Sequence, residues 1–153
     1  TAEEVWSFLP ESKDYDKASV MFNAFPVATD EHMDPSFMEK WDRIHAIRDD
    51  VNKALEILRA NKTIGKSLEA KVNLTCDGEL YDFVASVKEN LPEIFIVSQV
   101  ELSRGNSGEF TGDVEGLYVT IEAAKGKKCE RCWVYSDTVG ADPEHSELCA
   151  RCA

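Results

Sequence analysis

Cys129-Glu130-Arg131-Cys132 and Cys149-Ala150-Arg151-Cys152 close this chain as two matched pairs with sixteen residues between them. Each Cys-x-x-Cys turn aims two thiolates at one point, and the stretch between is long enough to bring the second turn back and complete a tetrahedron. The spacing predicts one Zn²⁺ held by Cys129, Cys132, Cys149 and Cys152. Four sulfur ligands leave no position for water or substrate, so the metal is expected to be structural and not a Lewis acid. Two disulfides, or a redox dithiol of the thioredoxin type, are the competing uses of such pairs. The fifth cysteine, Cys76, falls in an apparent strand and reads as a small buried hydrophobe. An odd count also disfavours a disulfide framework.

Upstream of the pairs the hydrophobic period changes twice. Thr1 through Leu9 reads as a short helix or the last turns of one, with Thr1 and Glu4 spaced for a capping box and Pro10 as a stop. A chain opening on a cap without methionine looks like a fragment of a longer protein. Residues 11–34 read as irregular and acidic, and their Val20, Met21, Phe22 and Phe25 must lie on something. From Asp34 or Ser36 a long helix is expected, because Phe37, Trp41, Ile44, Val51, Leu55 and Leu58 recur at helical spacing. Pro35 suits its first turn, Arg59 and Lys62 suit its carboxyl end, and Gly65 ends it. Alternation of Ala70, Val72, Leu74 and Cys76 then predicts a half-buried strand. Asp77 can cap a helix whose Leu80, Phe83, Val84, Val87 and Leu91 form a stripe that Pro92 closes. Ile94-Phe95-Ile96-Val97 reads as a second strand, residues 103–113 as a glycine-rich connection, and Leu117, Val119, Ile121 and Ala123 as a third strand. Those glycines lack the context and lysine of a phosphate-binding loop. The fold class is α+β, divided as 1–66 (helical), 67–124 (small α+β unit) and 125–153 (four-cysteine zinc-finger module).

At 153 residues, 43% apolar and 30% charged, the composition is that of an ordinary globular protein. No apolar run approaches bilayer length, and the amino-terminal stretch is acidic where a secretory signal would be basic, so a reducing cytoplasm is the expected compartment. The net charge of −12 is unevenly spread. Residues 1–34 hold two lysines against eight acids, and residues 67–124 hold three bases against eleven acids. Residues 35–66 hold seven bases against five acids, and residues 125–153 hold five of each. Only these last two segments can face a phosphate backbone. Lys125, Lys127, Lys128, Arg131 and Arg151 crowd the cysteine pairs, while Arg59, Lys62 and Lys66 crowd the end of the long helix. Charge alone leaves two roles open for the first cluster: binding nucleic acid, or offsetting the net negative charge of four thiolates around Zn²⁺.

Three stretches carry a family resemblance that spans nearly the whole chain in order. Thr1-Ala2-Glu3-Glu4-Val5-Trp6-Ser7-Phe8-Leu9-Pro10 looks like a helix of an anticodon-binding domain. Arg59 through Ala70, with Asn61-Lys62-Thr63-Ile64-Gly65-Lys66 at its centre, resembles a junction between that helical domain and a small α+β unit. Lys128 through Trp133, with Cys149 to Cys152, resembles a terminal zinc module. Together they resemble the carboxyl-terminal part of bacterial-type isoleucyl-tRNA synthetases, which are class I aminoacyl-tRNA synthetases. The resemblance implies ATP-dependent attachment of isoleucine to tRNA by a full-length enzyme with catalytic and editing domains elsewhere. The family's His-Ile-Gly-His and Lys-Met-Ser-Lys-Ser motifs are absent here, and Ile44-His45-Ala46-Ile47 lies inside the predicted helix. No catalytic residue is therefore assigned, and ATP belongs to the full-length enzyme only. What the resemblance leaves to this chain is recognition of the anticodon stem-loop.

RNA loops are read by stacking splayed bases on aromatic or guanidinium planes while cations hold the phosphates. The expected RNA-binding residues are Trp133, Arg131, Lys127, Lys128, Arg151, Arg59, Lys62 and Lys66. Trp133 and Tyr135 can instead pack over the metal; packing is the reading for Tyr135, and RNA contact for Trp133. His145 is expected to be an exposed bystander. Trp6 and Trp41 read as core. Two other functions fit a terminal four-cysteine module: duplex-DNA binding in a formamidopyrimidine-type glycosylase, or protein interaction by a zinc ribbon. The glycosylase needs a catalytic Pro-Glu amino terminus, which this sequence lacks. If metal binding is folding energy in this tail, about 10–16 kcal/mol in such modules, Cys132→Ser should lose most of the zinc and melt residues 125–153. Stoichiometric zinc in that variant by elemental analysis would refute the ligand set.

Overall fold

The alternating stretch over Ala70–Cys76 becomes β1, an interior strand of a four-stranded sheet. The computed structural model describes residues 1–29 and 34–153, so the 30–33 part of the irregular stretch expected over 11–34 lies outside the described residues. Two compact units are distinguishable, Thr1–Pro35 and Ser36–Ala153.

The first unit holds the short α1 (Ala2–Ser7), and all but the first residue of α2 (Pro35–Ala60) belongs to the larger unit. After β1 come α3 (Gly78–Ser86), α4 (Leu91–Phe95), β2 (Gln99–Arg104), β3 (Phe110–Thr111) and β4 (Tyr118–Ala123). The sheet order is β2-β1-β4-β3. β1 and β2 run parallel, which the crossover through α3 and α4 allows. β4 pairs antiparallel with β1 and with β3. Ala70, Val72, Leu74 and Cys76 are all fully buried and meet Ile44, Ile47, Val51 and Leu55 of α2 in one core, as the two periods predicted. Lys71 points to the other sheet face and is buried too, with Glu101 2.9 Å away on β2 and Glu122 3.8 Å away on β4.

Several expectations need correction. Ile94-Phe95-Ile96-Val97 is not a strand: Leu91 through Phe95 is helical and Ile96 turns left-handed at φ 58°. Val97 N–H donates to Pro92 O at 3.0 Å and Ile96 N–H to Glu93 O at 3.3 Å, closing the helix end. A four-residue apolar run has no period of its own, and here burial of Leu91 and Phe95, four apart, selects the helix. Pro92 thus opens a helix instead of ending one, and the second strand lies later, at β2. β3 also forms inside the stretch read as a plain connection. At the end of α2, Lys62 and not Gly65 takes the left-handed position, at φ 58°. Thr63 N–H reaches Leu58 O and Lys62 N–H reaches Arg59 O, the pattern of a Schellman turn.

In the smaller unit α1 starts at Thr1 without a side-chain cap bond, so the expected capping box does not form. Lys17 Nζ instead serves the other end of α1, donating to the carbonyls of Trp6, Ser7 and Leu9. Trp6 packs edge-on against Tyr15, and its indole N–H donates to Asp16 O at 3.0 Å. Met21, Phe22 and Phe25 are exposed, not covered as their apolarity led us to expect. Trp6 is only half-buried, whereas Trp41 packs against the core of the larger unit.

One buried acid ties α2 to the loop before β4. Asp50 accepts N–H bonds from Asp113 at 2.9 Å and Val114 at 2.8 Å, and Lys53 lies 3.1 Å away. A Cβ on Gly112 would stand 2.0 Å from the Asp50 carboxyl carbon, so this crossing needs glycine. Burial works to raise the Asp50 pKa, but the N–H bonds from Val114 and Asp113, with Lys53, outweigh it and hold the carboxyl below its ordinary value. Because the folded value is the lower one, this stabilisation is present above the ordinary carboxylate pKa of about 4 and fades as pH falls through the folded value. Asp50→Asn keeps one acceptor oxygen for two N–H groups and should cost about 1–3 kcal/mol at pH 7. Urea unfolding should show that difference shrinking in acid.

Candidate metal centre

Gly126 starts the site. Its φ of 91° turns the chain out of the sheet into β5 (Lys127–Lys128), which pairs antiparallel with β6 (Tyr135–Ser136). The turn between these strands is the first cysteine knuckle. Trp133 N–H donates to Cys129 O at 2.8 Å and Cys129 N–H to Val134 O at 3.0 Å, with Trp133 itself left-handed at φ 65°. In the second knuckle Cys152 N–H and Ala153 N–H both donate to Cys149 O, at 2.8 and 3.0 Å. Cross-bonds join the knuckles, among them Cys149 N–H to Cys129 Sγ at 3.4 Å and Arg131 Nη1 to Cys152 O at 3.1 Å.

The four sulfur atoms lie within 4.8 Å of one another, a set that can hold one metal ion. Zn–S bonds of about 2.3 Å give tetrahedral edges of about 3.8 Å, and Cys132 Sγ to Cys149 Sγ is 3.8 Å. None of the five cysteines, Cys76 included, is in a disulfide, so the two-disulfide reading is not realised. Cys129 and Cys149 are buried, while Cys132 and Cys152 are partly exposed. The Cys132 N–H, then those of Cys149 and Arg131, pull the Cys129 thiol down to about 6. Burial and the neighbouring sulfurs push Cys152 up. Four thiolates at one point repel unless a cation sits among them, and the donor set is the one a structural Zn²⁺ takes. His145 is exposed and outside the cluster.

Hydrogen bonds seat the module on the sheet. Ser98 Oγ accepts Tyr135 N–H at 2.8 Å and donates to Leu68 O, so one hydroxyl joins β6 to the turn that leads into β1. The Gln99 side chain makes two 3.0 Å bonds to the backbone of Lys125. Neither residue was singled out from sequence, since a polar residue at a strand entrance carries no periodic signal. The Trp133 indole is 51% exposed, with Lys66 Nζ 5.3 Å and Lys128 Nζ 5.5 Å from its ring centroid. Lys66 lies far back in the chain; Glu69 steadies its loop by accepting the Gly65 N–H at 2.8 Å. Lys127 is exposed on β5, and Lys62 sits exposed at the end of α2. The arginines are differently employed. Arg59 bonds Glu56 and Ser67, Arg131 bonds the Cys152 carbonyl, and Arg151 reaches Glu93 at 3.5 Å and the Cys132 sulfur. Tyr135 is half-buried beside Leu68.

A Cβ at Gly126 would stand 2.4 Å from the Ser136 carbonyl carbon on a backbone that L residues avoid. Gly126→Ala should therefore pry β5 from β6. Competition with a chromogenic chelator should show zinc affinity falling at least tenfold.

Residues 126–153 match the family described as a zinc finger found in FPG and IleRS. Over its whole length the chain is similar to isoleucine–tRNA ligases: 43% identical over 155 residues to that of Geobacter sulfurreducens, 40% over 157 residues to that of Thermoanaerobacter sp., and 43% over 157 residues to that of Carboxydothermus hydrogenoformans. In each case all of this chain is covered, against 16–17% of the relative, so the chain spans about a sixth of their length. Its α+β architecture, its four-cysteine cluster and this end-to-end similarity identify the chain as the counterpart of the carboxyl-terminal region of isoleucine–tRNA ligase.

Proposed function

We propose that the chain recognises the anticodon stem-loop of tRNA as part of an isoleucine–tRNA ligase, and that Cys129, Cys132, Cys149 and Cys152 bind the single structural Zn²⁺ that shapes its RNA-contacting face. ATP-dependent attachment of isoleucine then belongs to catalytic and editing domains elsewhere in a longer, cytoplasmic protein. In this reading residues 1–66 end the helical anticodon-binding part, 67–124 form the junction, and 125–153 form the zinc module.

The observation that carries the proposal is the Trp133 platform. The knuckle hydrogen bond to Cys129 O fixes the backbone beneath the indole, and the ring stands half-exposed beside two lysine ammonium groups. An exposed aromatic ring flanked by cations suits an unstacked base with its phosphates. Lys66 and Lys128 supply the cations beside the ring, and the exposed Lys62 and Lys127 are the further phosphate contacts of this reading. Arg59, Arg131 and Arg151, which also hold partners within the protein, are the further RNA contacts of this reading.

The zinc-loaded chain should bind cognate tRNA more tightly than bulk tRNA and far more tightly than duplex DNA, with affinity falling as salt rises. Equal or better binding to duplex DNA would favour a glycosylase-like finger. No binding to either would favour a protein-interaction module. Trp133→Ala removes a stacking surface of about 1–3 kcal/mol, so tRNA affinity should fall at least fivefold with zinc content unchanged. Unaltered affinity would return Trp133 to a packing role.

A further inference from the structure

A cleft of about 570 Å³ separates α4 from the sulfur cluster. Pro92, Ile96 and Val134 contribute its apolar lining, and Glu89, Glu93 and Arg151 its charged groups. Two of the four sulfur-bearing residues also line it: Cys132 from the first knuckle and Cys149 from the second. Cys129 and Cys152 do not. A small solute in this cleft therefore meets one cysteine of each knuckle, with their sulfurs 3.8 Å apart and neither in a disulfide.

We propose that Cys132 and Cys149 form a hydroperoxide-sensitive pair, oxidised through this cleft to a disulfide that links the two knuckles and dismantles the metal site. Cys132, the more exposed of the two, reacts first. Its thiolate attacks one peroxide oxygen, an S–O bond forms as the O–O bond breaks, and the departing hydroxide takes a proton to become water. The Cys149 thiolate then attacks Cys132 Sγ, forming the S–S bond and expelling the second hydroxide, which is protonated in turn. Two thiolates, one hydrogen peroxide and two protons give one disulfide and two waters, with two electrons passing from sulfur to oxygen. Only Cys129 and Cys152 remain as thiolates, too few to hold zinc in a closed site. The bond also draws the sulfurs from 3.8 Å to about 2.05 Å, displacing Cys132 and with it the adjoining Trp133. That last consequence rests on the tRNA reading above; the oxidation itself does not.

The test treats the zinc-loaded 153-residue chain with excess hydrogen peroxide. A chelating dye follows zinc release, and mass spectrometry after alkylation of remaining thiols maps the disulfide. One zinc per chain should leave as the Cys132–Cys149 disulfide appears first, and dithiothreitol with added zinc should reverse both. Glu89→Trp, which narrows the cleft without altering a sulfur, should slow release severalfold at unchanged zinc content. A first disulfide within either knuckle, conversion to sulfinic acid without a disulfide, or a Glu89→Trp rate equal to wild type would each overturn the proposal. A parallel tRNA titration should show affinity lost on oxidation and regained on reduction. A chain that oxidises as stated yet never binds tRNA would sink the recognition reading and leave the oxidation site standing.

Discussion

Mutual repulsion of four sulfur anions governs the end of this chain. The sulfurs of Cys129, Cys132, Cys149 and Cys152 converge within 4.8 Å, where backbone N–H groups favour one thiolate and burial opposes another. A dication held by all four sulfurs resolves that conflict. The module's regular structure amounts to the two residue pairs of β5 and β6, too little to hold a fold by hydrogen bonding alone. Its shape, and therefore the direction in which Trp133 faces, depends on the sulfur cluster being satisfied.

The module is seated on the sheet through a few polar contacts. The Ser98 hydroxyl lies between Leu68 O and Tyr135 N–H, and the Gln99 amide holds the backbone of Lys125. Both residues stand at the entrance to β2, so the strand that completes the βαβ crossover also locates the metal module. The same seating brings Lys66 to the Trp133 ring. A rigid core beneath and a metal above can thus hold one aromatic ring and two cations in register, which is the preorganisation a base-stacking site requires.

Much was legible in the residues themselves. The Cys-x-x-Cys spacing, the period of 3.6 over Ile44 to Leu58 and the alternation over Ala70 to Cys76 each impose one geometry, because side chains on one face must all be buried or all converge. Ile94 to Val97 had no such constraint. Four consecutive apolar residues satisfy a strand or a helix end equally, and packing of Leu91 and Phe95 into the core made the choice. Gly65 was a plausible helix stop, yet Lys62 turns the chain first, its left-handed strain offset by the two hydrogen bonds that close the helix end. The exposed Met21, Phe22 and Phe25 show the same limit: apolarity says that burial is favourable, not what provides it.

By itself the sequence determined the α+β class, the sulfur donor set and the dominant cores of α2, β1 and β4, since these follow from local spacing. Tertiary structure alone decided that Lys66 meets Trp133, that Arg59, Arg131 and Arg151 are occupied within the protein, and that Asp50 clamps the loop at Gly112. The physical reason is range. Periodicity and metal-ligand spacing are written within a few turns of chain, whereas the partner of a polar side chain is set by whatever surface the folded core brings within about 3 Å of it.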